Sequence, residues 1–387
     1  MIRPPVAFAA VFAAAVGLAG CGTVGVAAGG VTSGRTSATA TPSGSAGAGG
    51  GVRMRELHGK YFALAIAFPG RDTGFTAISG YAGASSTLRS WIERTADGGA
   101  SWTASRMASG QHQPGAQAGM TFVSARQGWA YEPGLFFTRD GGATWRAAHT
   151  AFRLTGPVAV AGTSTWAVGY ACVRGDCPAV LYTTDRVGGT FRRLASQPTA
   201  TGSVVALQRP TSSVAWLVVA VPHGRLRLVT TSDAGRSWAT RPLPRPGGVQ
   251  LSAAGPGSLW LVSYGTGEGP SLAGTLYRST DGARTWTRIG HENALIVYAV
   301  SSRVAWAVQN IPVRGNPDGA NILRTTDGGR TWHTVLSRVN TDVEAFVAQG
   351  PDGAQAIAAV SARNGERFVA FSTHNAGMTW HHTTLPA

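Results

Sequence analysis

The sequence predicts an all-β protein, a seven-bladed β-propeller whose blades are four-stranded antiparallel sheets. A phrase of the type "RTTDGGRTW" recurs seven times along the 387 residues, at intervals of 43 to 48 residues. A second, fainter repeat with an aromatic residue precedes each copy. The chain also contains 53 glycines and only 13% charged residues, which is typical of many short strands joined by turns.

The two repeats account for almost all tryptophans in the chain. The phrase ends at Trp102, Trp145, Phe191, Trp238, Trp286, Trp332 and Trp380. The upstream repeat carries Phe75, Trp129, Trp166, Trp216, Trp260 and Trp306, with Ala356 in the seventh place. Of the 12 tryptophans only Trp91 stands outside both series. Such regular use of a large side chain indicates copies of one packed unit.

The second copy shows how one unit is built. "GMTFVSA", "WAYEP", "GLFFT" and "TWRAA" alternate apolar and polar residues and read as four strands, with "RDGGA" as the turn before the last strand. Four antiparallel strands in a repeat of this length match one propeller blade. Seven units fill Tyr61 to Pro386. Nothing indicates that the two termini share a blade, so the sequence leaves the closure of the ring open.

An acidic residue in each copy is expected to hold the turn between the third and fourth strands. Its carboxylate can accept hydrogen bonds from backbone N–H groups of the turn and from a nearby Ser or Thr. A glycine two places later permits positive φ, and the terminal aromatic covers the turn. The residues concerned are Asp97, Asp140, Asp185, Asp233, Asp281, Asp327 and, in the seventh copy, Asn375.

Three copies depart from the pattern. Asn375 replaces the acid, Ala283 replaces the second glycine, and "DRVGGTF" is interpreted as carrying one extra residue. A catalytic site would tolerate such changes poorly, whereas a turn absorbs them locally. The phrase is therefore interpreted as a structural clasp on a hairpin.

The phrase [ST]-x-D-x-G-x-[ST]-W resembles the Asp-box, or BNR repeat, of sialidases, sortilin-type receptors and photosystem II assembly factors. The upstream strands "TWAVGYA" and "AWAVQNI" make the chain most similar to the assembly-factor group. This resemblance implies the propeller fold and a non-catalytic protein that helps to build a membrane complex. The loops match no motif of the group, so no partner-contact arginine is transferred to this sequence.

The alternative that the resemblance raises is a surface glycan-active protein, either a lectin-like binder or a divergent exo-sialidase. Sialidases of this family need an arginine triad, a tyrosine nucleophile paired with glutamate, and an aspartate acid/base. Their early Arg-Ile-Pro motif is not found, since "NIPVRG" has a different order and lies in the sixth unit. We assign no catalytic residue and expect no cofactor. His381 and His382 fall on a predicted strand and point to opposite faces, so no metal site is expected.

The candidate binding face lies opposite the turns. Loops between strands two and three emerge there, and their varying lengths on a constant scaffold are typical of specificity-determining segments. The candidate residues are Arg174, Arg225, Arg314, Arg363 and Arg367. An arginine-rich face suits an acidic protein segment or an anionic glycan. The plainer alternative is that these are ordinary solvated loop charges.

The formal charge of +15 is carried almost entirely by arginine, since Lys60 is the only lysine. A GC-rich genome favours arginine codons over lysine codons. The surplus over 18 acids favours anionic partners such as lipid headgroups or acidic polymers. Nucleic acid is not expected, because the N-terminus carries an export signal.

Residues 1–20 are predicted to be a lipoprotein signal peptide. Arg3 precedes an apolar run, Val6 to Val16, that is too short to span a membrane permanently. Leu18-Ala19-Gly20-Cys21 resembles the bacterial lipobox, which implies acylation of Cys21 and cleavage before it. Residues 21–52 contain almost no large apolar side chain and are expected to form a flexible tether. Residues 53–387 form the predicted propeller, held at the outer face of the cell membrane.

Cys172 and Cys177 are the remaining cysteines. In an exported protein such a close pair is typical of a disulfide, here across the end of a β-hairpin. A redox or metal role is the alternative, but neither CxxC nor a neighbouring histidine is present.

Overall fold

The structure is a computed structural model that forms a seven-bladed β-propeller. It describes residues 14–17, 20–24, 61–81, 88–107, 119–131, 134–170, 179–198, 202–221, 225–244, 248–264, 274–311, 319–339, 343–362 and 365–385. Each blade is a four-stranded antiparallel sheet whose strands are adjacent in chain order. The predicted fold class is confirmed.

The first four blades span residues 61–241. Blade one contains β3 (Tyr61–Ala67), β4 (Gly74–Tyr81), β5 (Leu88–Thr95) and β6 (Thr103–Ala104). Blade two contains β8 (Gly119–Phe122), β9 (Gly128–Tyr131), β10 (Leu135–Thr138) and β11 (Thr144–Ala147). Blade three contains β12 (Arg153–Ala161), β13 (Ser164–Tyr170), β14 (Val180–Thr184) and β15 (Arg192–Arg193). Blade four contains β16 (Ser203–Gln208), β17 (Ala215–Val221), β18 (Arg225–Thr231) and β19 (Ala239–Arg241).

The last three blades span residues 249–384. Blade five contains β20 (Val249–Ala253), β21 (Leu259–Tyr264), β22 (Gly274–Ser279) and the first part of β23 (Thr287–Ala299). Blade six contains the second part of β23, then β24 (Ala305–Ile311), β25 (Gly319–Thr325) and β26 (His333–Val339). Blade seven contains β27 (Val343–Ala348), β28 (Ala354–Ala362), β29 (Gly365–Thr373) and β30 (His381–Thr384).

Three strands lie outside this scheme. The short β7 (Arg106–Met107) follows blade one and pairs in parallel with the outer strand of blade two. The hairpin of β1 (Ala14–Gly17) and β2 (Gly20–Val24) pairs antiparallel and lies against the inner strands of the blades. Cys21 falls within β2, at the predicted boundary between the signal peptide (residues 1–20) and the tether (residues 21–52).

The ring closes by packing between blades one and seven, without a shared sheet. Every strand of blade one comes from the start of the propeller and every strand of blade seven from its end. Ile66 and Phe68 of blade one share a hydrophobic cluster with Phe346 and Phe368 of blade seven. The Gln355 side chain also donates a 2.7 Å hydrogen bond to the Gly98 carbonyl across this junction. The sequence had left this point open.

The core lies between neighbouring blades and is built from the two aromatic repeats. The terminal aromatic of one blade meets the inner aromatic of the preceding blade, with ring centroids 5.3 to 6.4 Å apart in five pairs. Those pairs are Phe75–Trp145, Trp129–Phe191, Trp166–Trp238, Trp260–Trp332 and Trp306–Trp380. Aromatic contacts of this kind add to the free energy of area burial. The regular tryptophan spacing is therefore the spacing of blade junctions.

One expected alignment is wrong in blade seven. Ala356 was expected in the place of the inner aromatic. The register instead pairs Gln355 with Ser372, as Trp306 pairs with Arg324 in blade six. Gln355 therefore takes the aromatic position, and its amide supplies the hydrogen bond that closes the ring. This hydrogen bond across the junction explains why blade seven has a glutamine where the other blades have an aromatic residue.

Candidate functional site

The propeller has two ends, which we call the turn end and the loop end. The turn end carries the turns between the third and fourth strands of all blades. The loop end carries the connections between the second and third strands, because hairpin connections alternate between the two ends of an antiparallel sheet. The sequence predicts that the structural acids lie at the turn end and the candidate binding face at the loop end.

The turn of blade one is closed by four hydrogen bonds. The Thr95 hydroxyl donates to Asp97 (2.7 Å) and accepts from the Gly99 N–H (2.9 Å). Asp97 also accepts from the Ser101 N–H (2.9 Å) and the Ser101 hydroxyl (2.5 Å). Trp102 covers this network and donates from its indole to the Gly99 carbonyl. The carboxylate thus fixes both sides of its own turn.

Blades two, four, five and six repeat this network with the same spacing. The corresponding acids Asp140, Asp233, Asp281 and Asp327 accept from the hydroxyl two residues earlier, and from the N–H and hydroxyl of the residue four later. In blade seven Asn375 accepts from Thr373 and from the Thr379 N–H. Its amide donates to the Thr379 hydroxyl at 2.7 Å. Asparagine can therefore replace the acid in this turn, because the Thr379 hydroxyl accepts a hydrogen bond from its amide, whereas the equivalent hydroxyl in blades one, two, four, five and six donates to the carboxylate.

The turn of blade three differs from the expectation. Thr184 pairs with Thr165 of the second strand, so it takes the place of Thr95 in blade one. Arg186 then stands where the acid is expected, and the copy contains no extra residue. Asp185, one place earlier, forms an exposed ion pair with Arg192 at 3.1 Å. The sequence did not reveal this shift of one residue, because Asp185 and the two following glycines also match the phrase when one extra residue is allowed.

Two successive residues of the turn adopt positive φ. In blade two Gly141 has φ of 70° and Gly142 of 77°. The only non-glycine residues with positive φ among the described residues are Ala234, Ala283 and Ala376, all in these turns. Five of the six closed turns keep glycine at the second position, where an added Cβ would meet the preceding blade. At Gly142 that Cβ would lie 2.3 Å from Phe75.

Hydrogen bonding lowers the pKa of the turn carboxyls. The Thr144 hydroxyl is the largest cause at Asp140, and the net effect lowers the pKa to about 2 although burial opposes it. Asp97 shows the same direction, with burial opposing the bonds from Ser101. The pKa lies well below the usual range at three further acids, again mainly through a turn hydroxyl: Asp233, Asp281 and Asp327. A general acid at neutral pH needs the opposite shift. These carboxylates are therefore ionised structural acceptors.

Arginines near the turns link neighbouring blades. Arg278 lies 5.5 Å from the Trp260 ring and donates to the Gly328 carbonyl of blade six at 3.1 Å. Arg324 lies 5.5 Å from Trp306 and reaches blade seven. Both precede their acid by three residues, as Arg94 does in blade one. Sequence reasoning missed this role, although "ERTAD", "RSTDG" and "RTTDG" repeat the arginine at one spacing.

Arg209 forms a further cationic link, between blades three and four. Only 2% of its surface is exposed. Its guanidinium lies 4.2 Å from the Trp166 ring and donates to the Ser164 carbonyl at 3.0 Å. Burial lowers the pKa of Arg209 to about 9, so the side chain remains charged at neutral pH. Part of the surplus positive charge of the chain is therefore buried inside the fold.

The loop end gathers the connections between second and third strands from all seven blades. The final register pairs are Val221–Arg225 in blade four, Ile311–Gly319 in blade six and Ala362–Gly365 in blade seven. These connections range from two residues (363–364) to nine (171–179 and 265–273). The second and third strands therefore end at the loop end, where the sequence predicts the candidate binding face.

The candidate arginines are only partly within the described residues. Arg225 begins β18 and is exposed, and Arg367 lies in β29 opposite Val360. Both are therefore at the loop end. Arg174, Arg314 and Arg363 lie outside the described residues, as do Cys172 and Cys177.

Within the described ranges no group of three or more His, Cys, Asp or Glu side chains is placed to hold a metal ion. The same ranges contain no helix long and apolar enough to cross a membrane. His381 and His382 both lie in β30, the outer strand of blade seven, and both are exposed.

Comparisons with known proteins identify the fold. No family model and no curated protein matches the chain. A solved structure described as "YCF48 bound to D1 peptide" is 18% identical, with 68% of this chain and 79% of that one covered and a TM-score of 0.49. YCF48 from Cyanidioschyzon merolae is 14% identical, with 68% and 83% covered and a TM-score of 0.45.

The GH74 xyloglucanase from Xanthomonas campestris is 14% identical, with a TM-score of 0.51 and 83% of this chain covered. The chain spans about half the length of that enzyme, 53%. At 14% identity this last likeness shows a shared fold and no more.

Proposed function

We propose that this protein is a lipid-anchored, extracytoplasmic propeller that binds a protein of the membrane or cell envelope through its loop end, without catalysing a reaction. The observation that carries the proposal is that the second and third strands of every blade end at the loop end, where Arg225 is exposed. The connections that join these strands differ in length, and three of them carry Arg174, Arg314 and Arg363. A constant scaffold with variable loops at one end supports recognition. The surplus of positive charge favours an acidic partner surface.

The acids of the closed turns, five of the 18 acidic residues in the chain, do not supply the carboxyl pair of a glycosidase. Such an enzyme needs one carboxyl with a raised pKa and a second carboxylate across the scissile bond. Five turn acids have lowered pKa values and are saturated with hydrogen bonds from their own turns. The solved structures that share the fold include both a peptide-bound propeller and a xyloglucanase. The choice between binding and hydrolysis therefore rests on the residues of this chain.

The closed turns are proposed to be Asp-boxes. The hydrogen bonds from the hydroxyl before the acid and from the Ser or Thr after it give the sequence pattern a physical purpose. Each turn needs its own copy, which is why the phrase recurs around the ring.

The anchor is proposed to be the acylated Cys21, followed by the tether that ends at residue 52. It would hold the propeller off the membrane and let the loop end meet a membrane-embedded partner. Labelling cells with radioactive palmitate tests the anchor. We expect incorporation into the native chain and none into Cys21→Ser. Equal labelling of the two would refute lipidation at this position.

Cross-linking in intact cells tests the binding proposal. The native protein is compared with a loop-end variant in which Arg314, Arg363 and Arg367 become glutamate. A matched control reverses three exposed arginines of the turn end: Arg236, Arg303 and Arg330. We expect a defined set of envelope proteins with the native chain and the control, lost in the loop-end variant.

Two other outcomes contradict the proposal. Recovery of cell-wall or glycan material in place of protein would favour the carbohydrate-binding or sialidase alternative. Loss of the partners in the control but not in the loop-end variant would assign recognition to the turn end.

A further inference from the structure

A groove of about 490 Å³ opens at the turn end between blades four and five. It is separate from the loop end on which the proposed function rests. The residues of its lining that matter here are Trp216, Thr230 and Arg241 of blade four and Asp281, Gly282 and Arg284 of blade five. A groove of this volume suits a ligand group of side-chain or monosaccharide size.

The groove opens where the junction between blades four and five lacks the cationic link that follows blades five and six. Thr230 pairs with Trp216 as Arg278 pairs with Trp260 and Arg324 with Trp306. In blades five and six the arginine covers the indole and reaches the next blade. The Thr230 hydroxyl instead donates to the Ala215 carbonyl of its own blade at 3.0 Å. The space above Trp216 is therefore not filled by its own strand.

Two more substitutions set this junction apart. Arg241 pairs with Leu228 as Ile289 pairs with Leu276, so a cation stands where blade five places an aliphatic side chain. Ile289 packs within 2.7 Å of where a Cβ on Gly329 would lie. Blade five has Ala283 at the position corresponding to Gly329, with φ of 61°. The junction between blades four and five thus has Thr230 in place of an arginine, Arg241 in place of an aliphatic residue, and the methyl group of Ala283 in place of a glycine.

Two buried hydrogen-bond donors belong to residues that line the groove. Trp216 is 3% exposed, and its indole N–H has no acceptor among the described residues. The Nε–H of Arg241 is buried and also lacks one. At the filled junction between blades five and six the Trp260 indole and the Arg278 Nε–H are unpaired in the same way, so these buried atoms do not set the groove apart. A ligand in the groove meets the terminal guanidinium nitrogens of Arg241, which only donate, so that ligand must be an acceptor.

The charge of the lining favours an anionic acceptor. Arg241 and Arg284 contribute two positive charges and Asp281 one negative charge. Both Asp281 oxygens are already held by their own turn, through Ser279, Arg284 and Thr285. Arg284 also donates to the Asp281 carbonyl at 3.0 Å, which holds its guanidinium at the rim. Planar carboxylates match arginine donors well.

We propose that this groove binds the carboxylate of a Glu or Asp side chain on an acidic segment of a partner protein. At neighbouring junctions the equivalent space holds a protein side chain, which is why a protein segment fits here better than a glycan. The carboxylate accepts from the terminal guanidinium nitrogens of Arg241, with Arg284 at the entrance and the Trp216 ring beside it. The molecule then has a second recognition site, at the end opposite its variable loops.

Indole N–H resonances of the ¹⁵N-labelled full chain test this assignment. The probe is the peptide acetyl-Glu-Glu-Glu-Glu-amide at physiological salt, with the corresponding glutamine peptide as its uncharged match. The Trp216 signal is identified by its loss in Trp216→Phe. We expect a saturable shift of this signal with the glutamate peptide in the millimolar range and none with the glutamine peptide.

Three variants locate the binding. Arg241→Gln is expected to weaken it at least tenfold, whereas Arg193→Gln, which removes an exposed arginine of blade three, leaves it unchanged. Thr230→Arg restores the side chain found in blades five and six and is expected to abolish binding with the fold intact. Native indole dispersion in each variant shows that it is folded.

Three results would overturn the proposal. An unchanged Trp216 signal at saturating peptide means that the groove is not the site. Equal binding by Arg241→Gln or by Thr230→Arg has the same meaning. A Trp216 shift with trigalacturonate but none with the glutamate peptide would replace the protein segment by an acidic glycan.

Discussion

Gly142 is the residue at which the turn can be tested most sharply. Changing Gly142 to alanine places a methyl group 2.3 Å from a ring carbon of Phe75, which is completely buried. Phe75 stacks on Phe122 at 4.5 Å and meets Trp145 edge-on at 6.2 Å, so it has little room to move. The neighbouring Gly141 has nearly the same φ, but an added Cβ there stays 3.4 Å from its nearest atom. The two changes separate backbone strain from crowding.

The expected magnitudes follow from these two contributions. An alanine in the left-handed region costs about 1 kcal/mol, and the reduced entropy of the unfolded chain offsets about 0.4–1 kcal/mol. Gly141→Ala should therefore lower the free energy of unfolding by no more than about 1 kcal/mol. Ala234 and Ala376 occupy the equivalent position in blades four and seven. Gly142→Ala adds overpacking of about 1–3 kcal/mol and should cost about 1–4 kcal/mol in total.

Urea unfolding followed by tryptophan fluorescence measures both variants against the native chain. Equal slopes of the transition are needed for the comparison, since they show that the same surface is exposed on unfolding. If Gly142→Ala is no more destabilising than Gly141→Ala, the close approach of blade one to this turn is not a determinant of stability, and the reasoning fails.

Three further predictions concern acid, buried charge and the cysteine pair. The folded-state pKa of Asp140 is lower than its unfolded value of 3.8, so its contribution to stability is complete above about pH 4 and is lost as the pH falls towards about 2. Asp140→Asn, which imitates Asn375, should therefore reduce the dependence of stability on pH in this range, as acid unfolding followed by circular dichroism would show. An unchanged acid midpoint would contradict this prediction. Arg209→Met leaves two carbonyl acceptors without a donor and should lower the free energy of unfolding by about 2–4 kcal/mol in urea titrations. The control Arg193→Met removes an exposed arginine and should cost less. A smaller loss for Arg209→Met than for Arg193→Met would contradict a structural role of Arg209. Cys172 and Cys177 should resist alkylation in the native protein until a reductant is added, as mass spectrometry would show, and immediate double alkylation would exclude the disulfide.

The sequence predicted the ring because the two aromatic repeats lie at blade junctions, where every copy meets the same packing requirement. It predicted the hydrogen bonding of the turns for a similar reason, since the acid, hydroxyls and glycines act locally. It failed where a residue is defined by its neighbour across a junction. Gln355 closes the ring through a carbonyl of blade one, and Asp185 is offset by a register that only strand pairing reveals. The groove beside Thr230 also depends on a comparison of junctions in space.

The loop end was predictable only as a location. Hairpin order places the connections at one end, and the register puts the backbone of Arg225 and Arg367 near that end. Their part in binding stays a prediction. Which side chains converge on a partner depends on loop conformations that have no repeated pattern. Strand periodicity and turn chemistry therefore define the scaffold, while recognition depends on the segments between them.

Hydrogen–deuterium exchange on the captured complex tests the central claim most directly. The free propeller and the propeller bound to its cross-linked partner are compared peptide by peptide. The account predicts protection of the loop-end segments 171–179, 265–273 and 312–318, with no change in the turns after Asp140 and Asp327. Protection confined to those turns, with unchanged exchange in the three loop-end segments, would contradict it.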